Sequence, residues 1–441
     1  MNYHDILEKA SSILKRYPLC NSCLGRQFAL LGSNMTNKER GNAIKTLLFM
    51  KLIREKEGSR GQEQEIVKIL ARSGFKPAID YAMSRSIKFK VESCYICGGL
   101  MDKLNVLALK AIVKLRDYNF NTFLVGSLVP STIINKEDKL RAEFNLEYSE
   151  SIKREVNREV GKIIQKKLGK VVDFNEPDVL VIIDLGNLDV KIEPMPLLIY
   201  GRYRKLARWI SQSLWLCRKC NGRGCKECNW TGKKYPLSIQ ELLGAIVLKR
   251  TGGSKFIIHA AGREDVDVRT VGNGRPFIME IKDPKNMIID LESLEQEINF
   301  KLRGLLEVFD LRRARREEIA LLKGLSEVRK KRYRAIISIT DTITDEIIRK
   351  IEENLKNRII KQRTPIRVLS RRPDKIRLKK VYDIKAIKIS DHLLKLEVLA
   401  QGGLYIKELI SGDEGRTNPS VSSIIGSSAK CLRLDIVEVE G

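Results

Sequence analysis

The 441-residue sequence contains no uninterrupted apolar run of about 18 residues, the length a bilayer-spanning helix needs. It has no G-x-x-x-x-G-K-[ST], no G-x-G-x-x-G and no H-E-x-x-H. Nucleotide hydrolysis on a P-loop, dinucleotide chemistry and a zinc-protease helix therefore have no support. Acid is scarce relative to base: 55 Asp and Glu stand against 82 Lys and Arg, a formal net charge of +27. The first residues, MNYHDILEKASSILKRYPLC, place acids inside an amphipathic helical pattern, unlike a signal or transit peptide. These absences lead us to expect a soluble, cytoplasmic protein with no membrane partner, monomeric by default. Hydrophobic residues at 43% are enough to build a core in each of several domains.

The positive charge is concentrated. Residues 301–380 hold 25 Lys and Arg against 11 Asp and Glu. Such a surface repels itself, and the partner that compensates it is a polyanion, whose phosphates exchange condensed counterions for protein cations. Neither DLRRARREE nor VRKKRYRA is flanked by the aromatic faces an interfacial helix needs, so nucleic acid is favoured over a lipid surface.

Eight of the nine cysteines fall in four C-x-x-C pairs, and Cys431 stands alone. In a basic chain without a leader this spacing favours zinc over disulfides. Cys20 and Cys23 would pool with Cys94 and Cys97 into one four-thiolate site. That site would be structural, because four thiolates leave no open coordination position. Cys217, Cys220, Cys225 and Cys228 form a compact second knuckle, with glycines for its tight backbone. Ser238 and Glu241 after it have the spacing of a capping box.

Hydrophobic periodicity divides the rest. The segments NKERGNAIKTLLFMKLIRE and GQEQEIVKILARSGF read as helices, as does SIKREVNREVGKIIQKKL, while FNTFLVGSLV reads as a strand. DVLVIIDLGNLDVKIEPMPLLIY reads as two strands around a GN turn. Beyond the knuckle, KFIIHAA, RPFIMEI, RAIISIT, VYDIKAIKI, LLKLEVLA and LRLDIVEV read as strands, with TDEIIRKIEENL as a helix. The fold class is α+β: an N-terminal accessory unit over 1–208, a cysteine knuckle over 209–236, and a C-terminal domain over 237–441 with a mixed, mainly antiparallel sheet.

The stretch HAAGREDVDVRTVGNGRPF, residues 259–277, crowds three acids, three arginines and three glycines between two strands. Loops held by a rigid sheet are where chemistry concentrates. On the residue types alone, Glu264, Asp265 and Asp267 would also suit a magnesium-dependent nuclease. Zinc modules on a basic surface would equally serve a non-catalytic RNA-binding protein.

GREDVDVRTVGNGRPF, then KQRTPIRVLSRRP, then GGLYIKELISGDEGRTNPS together resemble, in order, the archaeal and eukaryotic tRNA pseudouridine synthases of the tenth type. FNEPDVLVIIDL followed by IYGRYRKL is similar to a THUMP domain. The resemblance implies a pseudouridine-synthase fold and a THUMP-like part in the zinc-containing accessory domain. It also implies a tRNA substrate gripped at the TΨC arm, structural zinc and no organic cofactor. It further implies that uridine is converted at positions 54 and 55. The resemblance makes Asp265 the catalytic carboxylate, Tyr333 the residue stacked on the target base and Lys407 the cation paired with Asp265. Arg263 would position the extruded nucleotide, with Glu264 and Asp267 folding the loop. Tyr405, Ile406 and Leu432 would line the site, the last two as apolar walls. Arg363, Arg367, Arg371 and Arg372 belong to a proline-limited flexible loop that would clamp the RNA. Ser370 stands where many relatives carry histidine, a departure that bears on a loop contact.

Overall fold

The computed structural model describes residues 3–54, 60–324 and 329–440. They form two compact units, Met1–Met195 and Pro196–Gly441.

The first unit opens with helices α1 (Tyr3–Arg16), α2 (Asn21–Arg26), α3 (Asn37–Arg54), α4 (Arg60–Arg72), α5 (Lys76–Ser84) and α6 (Leu104–Leu115). Strand β1 (Thr122–Leu128), helices α7 (Ser131–Phe144) and α8 (Ile152–Leu168), and strands β2 (Val171–Val172), β3 (Val179–Asp184) and β4 (Asp189–Pro194) follow. The strands order as β2-β1-β3-β4. Helix α8 shows why the sequence folds this way. Ser151 caps its first turn by accepting from the Arg154 amide, and Gly169 ends it at φ 65°. Val156, Val160 and Ile164, four residues apart, make one fully buried stripe between these caps. The turn between β3 and β4 is held by Asp184, whose carboxylate accepts from the amides of Gly186 and Asn187 at 2.9 and 3.0 Å.

The second unit begins earlier than composition suggests. Strand β5 (Leu197–Lys205) carries IYGRYRKL, read from the sequence as the end of the accessory domain, yet it pairs with strands of the C-terminal sheet. The boundary expected at 208 therefore moves to 196. Alternation decides it: Ile199, Gly201, Tyr203 and Lys205 all face inward, as a central strand requires. Helix α9 (Ile239–Thr251), β6 (Lys255–Ala260), β7 (Arg269–Lys282), α10 (Leu291–Lys301), β8 (Leu306–Arg313), α11 (Arg316–Gly324) and β9 (Lys330–Ile339) follow. Then come α12 (Asp345–Leu355), β10 (Ile359–Arg363), β11 (Ile376–Ser390), β12 (Leu393–Gln401), α13 (Ile406–Ser411), β13 (Thr417–Asn418), α14 (Val421–Ile425) and β14 (Ala429–Val439). Ser238 caps α9 by accepting from the Glu241 amide, while the Glu241 carboxylate accepts from the Ser238 hydroxyl.

The described strands of this unit run β13-β10-β11-β12-β9-β14-β7-β5-β8, with β6 also on β7. Their pairings are antiparallel except for β14 on β7, where Asp435 and Ile436 meet Arg269 and Thr270 in parallel. The sheet is thus mixed and mainly antiparallel, with two large apolar cores among the described residues. One gathers around β9, β11, β12 and α13, the other around β5, β7, α9 and α10.

Candidate active site and cysteine clusters

The loop 261–268 leaves β6 and enters β7 where the parallel pairing joins the two halves of the sheet. Its inner side is locked. Gly262 takes φ +83°, and a Cβ there would lie 3.0 Å from Lys331 Nζ. The Glu264 and Arg275 side chains are both 0% exposed and pair at 2.9 Å. Tyr203 donates its hydroxyl to Glu264 at 3.0 Å, and Gln212 donates to Tyr203 and to the Gly262 carbonyl. Buried Lys205 donates to the carbonyls of Ile210, Asp265 and Val266 at 2.9, 3.0 and 2.8 Å. Burial lowers its pKa to about 8.

The outer side carries the exposed acids. Asp265 is 34% exposed, and Arg367 Nη1 reaches its Oδ2 at 2.8 Å. Lys407 Nζ lies 3.7 Å from the same oxygen but only 2.7 Å from Asp267. Lys407 thus lies beside Asp265, but the closer cation on Asp265 is Arg367, from the arginine-rich loop, and the shorter contact of Lys407 is with Asp267. The register of α13 explains the exchange. Glu408, next to Lys407, is buried and takes Arg367 Nε at 2.5 Å, holding its guanidinium across to Asp265. Burial opposes the charge on Arg367, but Glu408 and Asp265 outweigh it and raise its pKa. Burial likewise opposes ionisation of Asp267, yet Lys407 pulls its pKa below the ordinary value.

The other expected residues distribute themselves around this centre. Tyr333 is 7% exposed and shares one apolar cluster with Val268 and Ile406 under the loop. Burial raises its pKa to about 12, with Arg275 opposing, so its ring is neutral at ordinary pH. Ile406 is a core residue. Tyr405 caps α13, its ring 5.8 Å from the Arg367 guanidinium. Leu432, expected as a sealed wall, is 50% exposed because it is the extra residue of a bulge between Cys431 and Arg433. Arg363 pairs with Asp374 at 2.8 Å, and Arg372 is exposed. Arg263 and Arg371 both stack on Trp215, at 4.3 and 4.8 Å from its ring centroid. The arginine loop, expected to be flexible, is pinned at its base. Thr364 Oγ1 donates to the Pro373 carbonyl and accepts from the Lys375 amide, and Arg416 spans Thr364 and Asp374.

Burial removes Glu264 from the acid trio that would suit magnesium. Glu264 is sealed against Arg275, and among the described residues the groups with metal-holding geometry are the two cysteine sets. In each set all four sulfurs lie within 4.8 Å of one another. A tetrahedron with Zn–S arms of about 2.3 Å has edges of about 3.8 Å. The observed Sγ separations are 3.7 Å for Cys20–Cys97, and 3.9, 3.8 and 3.7 Å for Cys217–Cys225, Cys220–Cys228 and Cys225–Cys228. Both clusters are compatible with structural zinc. In the first, Arg26 beside Cys23 is buried and pairs with Glu137 and Glu155, tying α2 to α7 and α8.

Residues 198–440 match the family described as Pus10, C-terminal, and residues 107–184 match the Pus10 THUMP domain, archaeal. The chain belongs to the Pus10 family. It is 41% identical over 436 residues to the tRNA pseudouridine synthase Pus10 of Thermofilum pendens, covering 98% of this chain and 95% of that one. It is 43% identical over 435 residues to the tRNA pseudouridine synthase Pus10 of Methanocaldococcus jannaschii, covering 97% and 93%. Among solved structures, a Cbf5-Nop10-Gar1 complex aligns with TM-score 0.28 and 19% identity, over 44% of this chain and 43% of that chain. The Pus10 THUMP match runs from α6 to β3, and the Pus10 C-terminal match starts one residue inside β5.

Proposed function

We propose that the chain isomerises uridine to pseudouridine at positions 54 and 55 in the TΨC loop of tRNA, with Asp265 as the catalytic carboxylate and no organic cofactor. The observation that carries this reading is the setting of Asp265. It is a partly open carboxylate on a loop locked from beneath, with Arg367 and Lys407 both reaching Oδ2. In the reaction the bond from ribose C1′ to N1 breaks and the base turns. C1′ then bonds to C5, and the C5 proton leaves as N1 gains one, so atoms balance without a co-reactant. Asp265 Oδ1 acts on the ribose or base, Arg367 and Lys407 hold the carboxylate in place, and Tyr333 stacks on the extruded base. Each cysteine cluster holds one zinc ion, which supplies a covalent-strength crosslink and no chemistry to the reaction.

The test is product mapping of an unmodified tRNA incubated with the full chain, with and without EDTA. Pseudouridine at 54 and 55, insensitive to brief chelation, is expected. Strand cleavage that disappears on chelation would establish a nuclease, and binding without product would establish a non-catalytic RNA-binding protein. Metal analysis of a variant lacking the 217–228 knuckle should return one zinc per chain, and none would remove the N-terminal site.

A further inference from the structure

Trp215 stands two residues before Cys217, the first cysteine of the second knuckle, and its backbone is fixed there. Its carbonyl accepts from the Lys234 amide at 2.8 Å, and Leu216 bridges Lys233 across the knuckle's neck. Its ring packs edge-on to Tyr235 at 5.9 Å. Two guanidiniums lie over this one indole: Arg263, two residues before Asp265, and Arg371, from the arginine loop. Arg218 of the knuckle adds a hydrogen bond to Ser370 at 3.3 Å, where the family resemblance expects histidine.

These arginines differ from their neighbours in one respect. Arg363, Arg367 and Arg416 each pair with a carboxylate, whereas among the described residues neither Arg263 nor Arg371 does. They are also close enough for the Arg371 charge, after burial, to depress the pKa of Arg263. Stacking engages the flat face of a guanidinium and leaves its N–H edge free. Two like charges held together by an aromatic plate, with no acid between them, form a site for an anion that accepts from both edges.

We propose that Arg263, Trp215 and Arg371 form a single phosphate-binding site for one RNA backbone linkage next to the target uridine. The second cysteine knuckle is the base that holds Trp215 in place. This rests on the proposed function only for the identity of the RNA. Arg263 belongs to the catalytic loop and Arg371 to the arginine loop, so one phosphate would join both loops to the knuckle.

The experiment measures binding of the full chain to TΨC stem–loop RNAs, each carrying one neutral methylphosphonate linkage. The parent should show one linkage flanking the target uridine whose neutralisation weakens binding by roughly tenfold. The variant carrying Arg263→Met and Arg371→Met should lose sensitivity at that linkage and keep it elsewhere. Trp215→Ala should do the same, and Trp215→Phe, which keeps a stacking plate, should restore it. Identical linkage profiles in the parent and the arginine variant overturn the site, as does a parent without a sensitive linkage. A Trp215 that only stabilises the fold would lower the melting temperature without altering the profile. If Trp215→Ala does not fold, the arginine variant, altered at two exposed positions, decides. Pseudouridine formation is assayed separately: a parent that makes none but shows the sensitive linkage defeats the proposed reaction and leaves the phosphate site standing.

Discussion

Glu264 and Asp265 are adjacent carboxylates with opposite surroundings. Glu264 points into the protein, fully buried against Arg275 and Tyr203, whereas Asp265 sits partly open between Arg367 and Lys407. The inner side of the loop is built for rigidity, with Glu264 paired to Arg275 and the carbonyls of Asp265 and Val266 held by Lys205. The outer side is built for contact, with cations that orient a carboxylate without covering it. The proposed role of Asp265 needs both, because positioning is lost when the supporting groups are loose.

The contrast predicts that activity and stability can be separated residue by residue. The largest effect on activity falls on Asp265→Asn, which preserves size but removes the carboxylate. Pseudouridine in the TΨC loop should drop below detection while melting temperature and tRNA affinity stay near the parent's, and product formation at the parent rate would refute the role given to Asp265. Salt gives the next largest effect. With roughly six to ten phosphates contacted, tRNA affinity should fall on the order of a thousandfold or more between about 50 and 200 mM salt. A flat response would show that the basic surface does not carry the binding.

Glu264→Gln should invert the Asp265 result. It leaves the buried Arg275 charge unpaired, a loss of about 3–5 kcal/mol by denaturant titration, with activity per folded molecule largely kept. If activity falls with unchanged stability, the inner side takes part in the chemistry. Lys407→Met should reduce turnover only partially, because Arg367 still holds Asp265 at 2.8 Å. Loss as complete as for Asp265→Asn would return the main pairing to Lys407.

The inner side also carries a pH dependence. Burial depresses Lys331 to about 7, from an ordinary value of 10.5. Between these values the unfolded chain binds more protons at this position than the folded one, so this group makes stability rise as pH climbs from 7 towards 10. Lys331→Met should flatten that rise in melts taken across the window, and an unaltered slope would show that the ammonium is accommodated on folding.

Much of the C-terminal sheet was legible because RAIISIT, LLKLEVLA and VYDIKAIKI carry apolar residues in runs or alternation. Strands β5 and β8 were not. IYGRYRKL read as the end of a THUMP-like unit and DLRRARREE as polyanion-facing charge, although Lys205 on β5 is wholly buried and satisfied by three carbonyls. Local charge cannot reveal a partner supplied 60 residues later. The same limit hid Arg367. Four arginines in one loop look alike in sequence, and only the fold assigns one to Asp265, one to Asp374 and one to Trp215. Trp215 itself gave no signal beyond standing two residues before a cysteine. The pooling of Cys20 and Cys23 with Cys94 and Cys97 was legible, since tetrahedral chemistry needs four donors and two pairs supply them.

Strand β14 is inserted between β9 and β7, and it is the last of the described strands to leave the ribosome. Until it arrives, β9 and β7 present open edges, an invitation to wrong pairing that the nascent chain must survive. Asp435 on β14 also anchors Arg208, which donates to the Asp267 carbonyl, and Arg269 at the loop's exit. The loop 261–268 therefore gains its outer brace only when β14 arrives, across a separation of 166 residues between Arg269 and Asp435. Contacts so distant in sequence form slowly. A chain stalled before β14 would display most of the basic surface without a finished site, able to hold RNA before it can modify it.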